Sequence, residues 1–512
     1  VASRRDSSFW RGRIAMVTEV LSALMHPIMI AIIIGGVLVG NLIGCLPGLT
    51  ATMALAVLLP ITYYMPIATA LVLMASIYVG AIRGGGIPAI LLNVPGTPSD
   101  IATTFDGFPL AQKGLARRAL MMSVFGSVMG GLIGNTFLAF LAPPLARISL
   151  RFGPAEFFWL CILGITIMVS ITEGSLWKGL ISGFIGLLIT TVGVSPLGGE
   201  TRFTFGAPQL AGGVPIIVGL IGLYCIPLVI ELAQEKGQEV DKIIITGSLH
   251  EAMAWVIRKW FSGIQGVVSS LIGTFIGILP GAGGNIAGII AYDQVKRMDK
   301  HPEEFGKGRI EGVLAAETAN NAEVSGSLIP ALTFGIPGSP PAAVMLGAIL
   351  VQGLRPGAKL FAENALDMYI LIGGFYFANL ALLLVMYLSP LYSKILNVPR
   401  EMLAVLIAVM SVVGTFAIRG NFGDVVVMCI LGIGMFFGRK LGFPTAPAVL
   451  GIVLGRLAEE GLTQSMMIAK ARGGLLPYFA GRPICIVLMI LIMFFLSWPF
   501  LQDRLQRMRG KK

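Results

Sequence analysis

"GIPAILLNVPGTPSD", Gly86 to Asp100, decides how the rest of this 512-residue chain is read. The stretch lies in an apolar region, yet it carries Pro88, Pro95 and Pro98, Gly86 and Gly96, and the polar Asn93, Thr97, Ser99 and Asp100. Proline removes a backbone donor and pushes the preceding residue away from helical angles. Backbone freed in this way inside lipid must be buried in protein or line a cavity. The stretch therefore predicts a membrane helix broken around a polar site. "SLIPALTFGIPGSPPA", Ser327 to Ala342, repeats it: Pro88, Pro95, Gly96 and Pro98 align with Pro330, Pro337, Gly338 and Pro340 at 330 − 88 = 242 positions. A second pair, "GCLPGLT" (Gly44–Thr50) and "GILPGAG" (Gly277–Gly283), aligns Pro47 with Pro280 at 280 − 47 = 233.

Composition agrees with a lipid setting. The chain is 55% hydrophobic and 12% charged, against roughly 25% charged in soluble domains. Apolar runs such as Ala119–Leu141, Phe157–Ile171, Leu180–Val194, Tyr369–Leu388, Met402–Ala417 and Ile484–Trp498, at roughly 20 residues per crossing, predict an all-α polytopic membrane protein of about 10 to 12 crossings. The net charge of +11 comes from Lys and Arg scattered between these runs, the habit of cytoplasmic loops rather than of a nucleic-acid-binding domain. Both ends are basic, which places both in the cytoplasm and makes the number of crossings even. The first apolar segment does not read as a removed signal peptide, and Met16 is an alternative start to Val1. The five cysteines are dispersed, without the paired spacing of metal or redox sites.

The matched motifs divide the chain into a basic extension (1–16), a membrane repeat (17–235), a polar linker (236–249) within "ELAQEKGQEVDKIIITGSLHEA", a second repeat (250–500) and a basic tail (501–512). Equivalent loops have opposite charge habits. "KRMDKHPEEFGKGR" follows the second LPG motif, where the first has the uncharged "PITYYMP"; Lys113, Arg117 and Arg118 follow "VPGTP", where "IPGSP" is followed by the milder Arg355 and Lys359. Positive charge marks the cytoplasmic side, so the two homologous repeats read as inverted. Repeats of this kind, with discontinuous helices, are the habit of secondary transporters.

Four breaks at matched positions predict one enclosed site. Helix N-termini point N–H groups and a positive dipole end at an anion, while unwound carbonyls can hold a cation such as Na⁺. The candidate residues are Pro47, Gly48 and Thr50; Asn93, Pro95, Gly96, Thr97 and Pro98; Pro280, Gly281, Gly283 and Asn285; and Gly335, Pro337, Gly338 and Ser339. In "AAETANNAEVSGS" the helical spacing brings Glu317 and Asn321 together. Asn320 and Asn321 join the site, and Glu317 and Glu323 are candidates for ion coupling, because ionisable groups at membrane depth are costly. Arg83, between "ALVLMASIYVGAI" and "GGGIP", either pairs with a substrate carboxylate or snorkels from a helix end. No GxxxxGK[ST] loop, HExxH or GxSxG is present, and the three histidines are scattered. The chain reads as no enzyme, with no cofactor, no resident metal and no nucleotide.

"LPGLTATMALAVLLPITY", "GGGIPAILLNVPGTPSDIATTFDGFPLAQKG", "RFTFG", "HPEEFGKGRIEGVLAAETANNA" and "LTFGIPGSPPAAVMLGAILVQGLRPG" together resemble the large membrane subunit of the tripartite tricarboxylate transporters, the TctA family, from about Leu24 to Phe500. The resemblance implies a multi-pass subunit of the bacterial inner membrane working with a small four-helix membrane subunit and a periplasmic substrate-binding protein. It implies symport of an organic carboxylate such as citrate, driven by a Na⁺ or H⁺ gradient. It carries the family's signature regions onto Pro47–Thr50 with Asn93–Pro98, and onto Pro280–Gly283 with Asn320, Asn321 and Gly335–Ser339. Arg83 and the glycine-rich "PGAGGNIAG" depart from that pattern. The alternatives are an anion channel, whose breaks form a filter, and a transporter that needs no binding protein.

Overall fold

The computed structural model describes residues 15–509 except 172–174, 196–198, 235–244, 282, 389–390, 392–395 and 397; for Ile171, Asn285, Arg400 and residues 498–509 it describes the backbone alone. Most of the basic extension (1–14) and most of the polar linker fall outside the described residues. Before residue 235 the chain forms α1 (Pro27–Gly44), α2 (Ala51–Leu58), α3 (Ile67–Leu92), α4 (Ile101–Leu110), α5 (Ala116–Ile148), α6 (Pro154–Ile171), α7 (Leu176–Thr190) and α8 (Ile216–Gln234). After it come α9 (Leu249–Trp260), α10 (Gln265–Ile278), α11 (Gly283–Met298), α12 (Ile310–Phe334) and α13 (Pro340–Val351). The last group is α14 (Ala365–Val385), α15 (Arg400–Arg419), α16 (Phe422–Lys440), α17 (Thr445–Lys470) and α18 (Pro483–Arg509). One short antiparallel pair, Gly193–Val194 with Thr201–Arg202, interrupts an otherwise helical architecture.

Among the described residues, seven helices are long and apolar enough to cross a membrane, or eight if α9 and α10, bent by 78° at their junction, count as one span. Shorter apolar stretches of helix, among them 154–170, 176–190 and 483–497, come in addition to these.

Close packing at small residues organises the centre. A Cβ on Gly40 of α1 would lie 2.2 Å from the Ile77 carbonyl oxygen of α3, and one on Gly44 2.1 Å from that of Ala81. The same meeting recurs between α10 and α12, where a Cβ on Gly273 would lie 2.1 Å from the Ala319 oxygen and one on Gly277 2.8 Å from that of Glu323. The glycines correspond at 273 − 40 = 233 and their partners at 319 − 77 = 242, the offsets of the two motif pairs. Small residues let backbones approach where lipid supplies no hydrophobic drive for association.

Helix α12 is the axis of this arrangement. Every residue from Ile310 to Thr333 is buried, and it packs against α5, α10 and α11. Its five acidic and amide side chains, Glu311, Glu317, Asn320, Asn321 and Glu323, are therefore all buried in the bundle.

The breaks have one geometry. Asn93 (φ 58°) and Gly335 (φ 75°), related by 335 − 93 = 242, end α3 and α12 in the left-handed conformation. The next N–H reaches back six residues to the proline carbonyl, Val94 to Pro88 at 3.4 Å and Ile336 to Pro330 at 3.3 Å. The chain then folds onto its own helix through Gly96 N–H to Gly85 O and Gly338 N–H to Ser327 O, both 3.1 Å. New helical turns start after Thr97 and Ser339.

Replacing Gly273 or Gly40 by alanine should destabilise the chain by about 1–3 kcal/mol, the usual cost of overpacking, read as a lower unfolding temperature in detergent. Unchanged unfolding in both variants would contradict these helix contacts.

Candidate anion-binding cavity

A cavity of about 830 Å³ opens where the breaks converge. Four helix beginnings line one side: Thr50–Met53 at α2, Thr97–Ser99 leading into α4, Gly281 with Gly283 and Gly284 at α11, and Ser339–Pro341 at α13. Thr50 caps α2, its hydroxyl accepting from Met53 N–H at 3.4 Å. The facing wall comes from Met168 on α6, Tyr224 on α8, Arg439 on α16 and Gly442–Ala446 at the start of α17, a fifth helix beginning. Arg439 also bonds Glu231 through Nη1 at 3.0 and 3.1 Å. Converging N-termini concentrate positive potential and unpaired N–H groups, so the cavity favours negative charge.

Of the residues expected from sequence, Thr50, Thr97, Pro98, Gly281, Gly283, Ser339 and Glu323 stand in the cavity wall. Others shape the breaks without lining it. Gly48 (φ 90°) and Gly281 (φ 80°) make the same turn at offset 233, following Pro47 and Pro280. Gly96 and Gly338 allow the chain to fold back: added Cβ atoms would lie 2.5 Å from Gly85 Cα and 2.0 Å from the Gly277 oxygen. Pro95 and Pro337 precede them, and Gly335 is the left-handed cap of α12. Asn93, the corresponding cap of α3, is exposed and outside the wall. Asn320 and Asn321 are buried and lie behind the wall, and the Asn285 side chain lies outside the described residues.

Arg83 and Glu317 belong to a buried polar knot beside the cavity. The glycine run of α3 makes room for it. An added Cβ would lie 2.6 Å from the Asn41 carbonyl at Gly84, 2.0 Å from Asp100 Oδ2 at Gly85, and 2.4 Å from Glu317 Oε1 at Gly86. Successive helical residues point about 100° apart, so the three glycines admit three different neighbours. Asp100 Oδ2 accepts from Thr97 N–H (2.8 Å) and Oγ1 (2.6 Å), and its Oδ1 accepts from Asn320 Nδ2 (3.0 Å). Glu317 accepts from Thr103, Ser123 and Ser127 at 2.7, 2.9 and 3.4 Å. Arg83 is fully buried and donates to Asn41 Oδ1 at 3.0 Å and to the Leu120 carbonyl at 3.5 Å. It neither snorkels nor faces the cavity.

The halves also reach into each other. Tyr78 on α3 and Asn320 on α12 correspond at 320 − 78 = 242. Tyr78 OH bonds Ser339 Oγ (2.9 Å) at the second break, as Asn320 bonds Asp100 just after the first.

The family model of the tripartite tricarboxylate transporter TctA family matches residues 30–450. The chain belongs to the TctA family. The matched region contains the cavity wall from Thr50 to Ala446. The chain is 37% identical over 428 residues to an uncharacterised 52.8 kDa protein in the TAR-I ttuC′ 3′ region of Agrobacterium vitis, covering 83% of this chain and 84% of that one. It is also 37% identical over 199 residues to an uncharacterised protein in the TAR-II ttuC′ 3′ region of the same organism, covering 39% of this chain and 82% of that one. As a TctA protein it is a large subunit of a transport system in the membrane.

Sequence reasoning missed Asp100, Tyr224, Arg439 and Thr445. Asp100 had a legible signal, since Thr97 and Asp100 have capping-box spacing, and the box forms. "GFPTAP" (Gly442–Pro447) carries the proline and threonine grammar of the other breaks, with Gly442 at φ 80°. Arg439 and Tyr224 carried no local signal. Asp100→Ala should leave the Thr97 donors and Asn320 Nδ2 without an acceptor, at about 1–3 kcal/mol for each orphaned group. In thermal unfolding, the Asp100→Ala/Asn320→Ala double variant should lose less than the sum of the two single variants, the sign of a shared bond; additive losses would argue against it.

Proposed function

We propose that this TctA subunit carries di- and tricarboxylates through the cavity between the broken helices. The observation behind this reading is the convergence of five helix beginnings, the hydroxyls of Thr50, Thr97, Ser99 and Ser339, and Arg439 on one space of about 830 Å³. A carboxylate crossing a membrane must shed water, and preorganised N–H, hydroxyl and guanidinium donors replace it. The volume falls in the range of small-molecule sites, about 300–1,000 Å³.

In this reading the two repeats lie inverted in the bacterial inner membrane, and one part of the bundle moves against the other so that the cavity opens to each side in turn. A periplasmic binding protein delivers the organic acid, a small four-helix membrane subunit completes the transporter, and a Na⁺ or H⁺ gradient drives accumulation. The opposite charge habits of equivalent loops and the family's tripartite organisation support it.

Uptake of labelled citrate and other di- and tricarboxylates into vesicles holding this chain and the small subunit tests it, with binding protein present or absent and with each gradient imposed separately. Uphill accumulation that needs the binding protein and collapses with one gradient is expected. Gradient-independent equilibration would make the protein a channel. Arg439→Gln should raise the KM for uptake by about tenfold or more, the loss of one charge-assisted contact; an unchanged KM would remove Arg439 from the site.

A further inference from the structure

Glu323 stands where an anion site should not hold a carboxylate. It projects from α12 into the wall that the helix beginnings and Arg439 build for negative charge. It is 1% exposed, and its Oε1 has no hydrogen-bond partner. Among the described residues it is the one buried carboxylate with an unpartnered oxygen. Asp100 and Glu317, close by, are each held by several donors.

The Ser327 and Ser339 hydroxyls hydrogen-bond the Glu323 carboxylate. The Ser327 hydroxyl also lies 3.0 Å from the Val324 carbonyl, and its single proton serves only one acceptor at a time. Tyr78 OH, from α3, lies 2.9 Å from Ser339 Oγ and 3.3 Å from Ser327 Oγ. A hydroxyl carries one proton and two lone pairs, so Tyr78 and Ser339 can spare at most one proton for the carboxylate. The other titratable and charged groups in the same wall are Tyr224 from α8 and Arg439 from α16, and Arg439 is engaged by Glu231. The Glu323 carboxylate, Ser327 Oγ, Ser339 Oγ and Tyr78 OH thus form a connected set of hard oxygens, with Glu323 Oε1 left unpartnered. Oxygen clusters of this kind suit hard cations, and a bare buried charge must be paired or neutralised.

We propose that Glu323, with Ser327 and Ser339, seats one monovalent cation, H⁺ or Na⁺, whose binding admits the substrate carboxylate to the cavity. The seat follows from the geometry, and its link to the substrate rests on the transport reading. With Glu323 ionised, an entering carboxylate meets a like charge at low dielectric. With the cation in place, the repulsion is gone and the helix beginnings act unopposed. Linkage then requires that substrate tighten the cation to the same degree that the cation tightens substrate.

The test uses the full chain in nanodiscs with two arms. The first measures equilibrium ²²Na⁺ binding at alkaline pH, with and without citrate. The second, without Na⁺, measures proton uptake on citrate addition in weak buffer. One arm should report about one cation per chain, and that signal should fall by about tenfold or more in Glu323→Gln, which keeps the shape but not the charge. Glu323→Asp, checked with Glu323→Gln for an unchanged size-exclusion profile, should restore the signal at weaker affinity. Wild-type stoichiometry in Glu323→Gln, or no cation in either arm, overturns the proposal. Na⁺ binding that depends on Glu323 but ignores citrate would leave the seat standing and count against the transport reading. Citrate bound without either cation would do the reverse.

Discussion

A hydrocarbon layer offers the backbone no partner, and the architecture follows from how this chain pairs the groups its prolines release. At each proline-rich break the solution is the same: a left-handed cap, a bond back to the proline carbonyl, and a glycine N–H donated to the parent helix at 3.1 Å. The return brings the next helix beginning against its own parent helix, in protein rather than lipid. Two such returns, with the two LPG turns at Gly48 and Gly281, deliver four helix beginnings to one place. The cavity is what remains between them.

Bringing these elements together needs small residues at the contacts, which is why Gly40 and Gly44 meet α3 as Gly273 and Gly277 meet α12. The backbone plan is shared between the halves, but the side chains have diverged. Asp100, just after the first break, corresponds at offset 242 to Ala342. Thr97 therefore has a carboxylate within its own turn, while Ser339 depends on Tyr78 from the other half. Around the first break, Asp100 and, from the second half, Glu317 are each held by several donors in a polar knot. The second half kept Glu323 beside the cavity with an oxygen unpaired.

Much of this was legible in the order of residues. Proline and glycine act locally, so the breaks at Pro95–Pro98 and Pro337–Pro340, their constant spacing, and the hydroxyls that follow them could be read directly. The roles of Asn93 and Arg83 could not. Asn93 is a polar residue in a broken segment, and only its backbone angle shows that it caps α3. Arg83 looked like a helix-end charge until the neighbouring helices enclosed it with Asn41 and the Leu120 carbonyl.

The sequence by itself determined a helical membrane chain, the places where its helices must break, and the repetition of those breaks, because all three depend on backbone chemistry within a few residues or on spacing. Its motifs also resembled the TctA family, to which the chain belongs. Tertiary structure alone decided which polar groups face the cavity and which are consumed in the protein. Glu317 and Glu323 lie six residues apart on one helix, yet three hydroxyls from α4 and α5 satisfy the first, and the second faces the open space. The difference lies in what the surrounding helices present to each, and those neighbours come from distant parts of the chain.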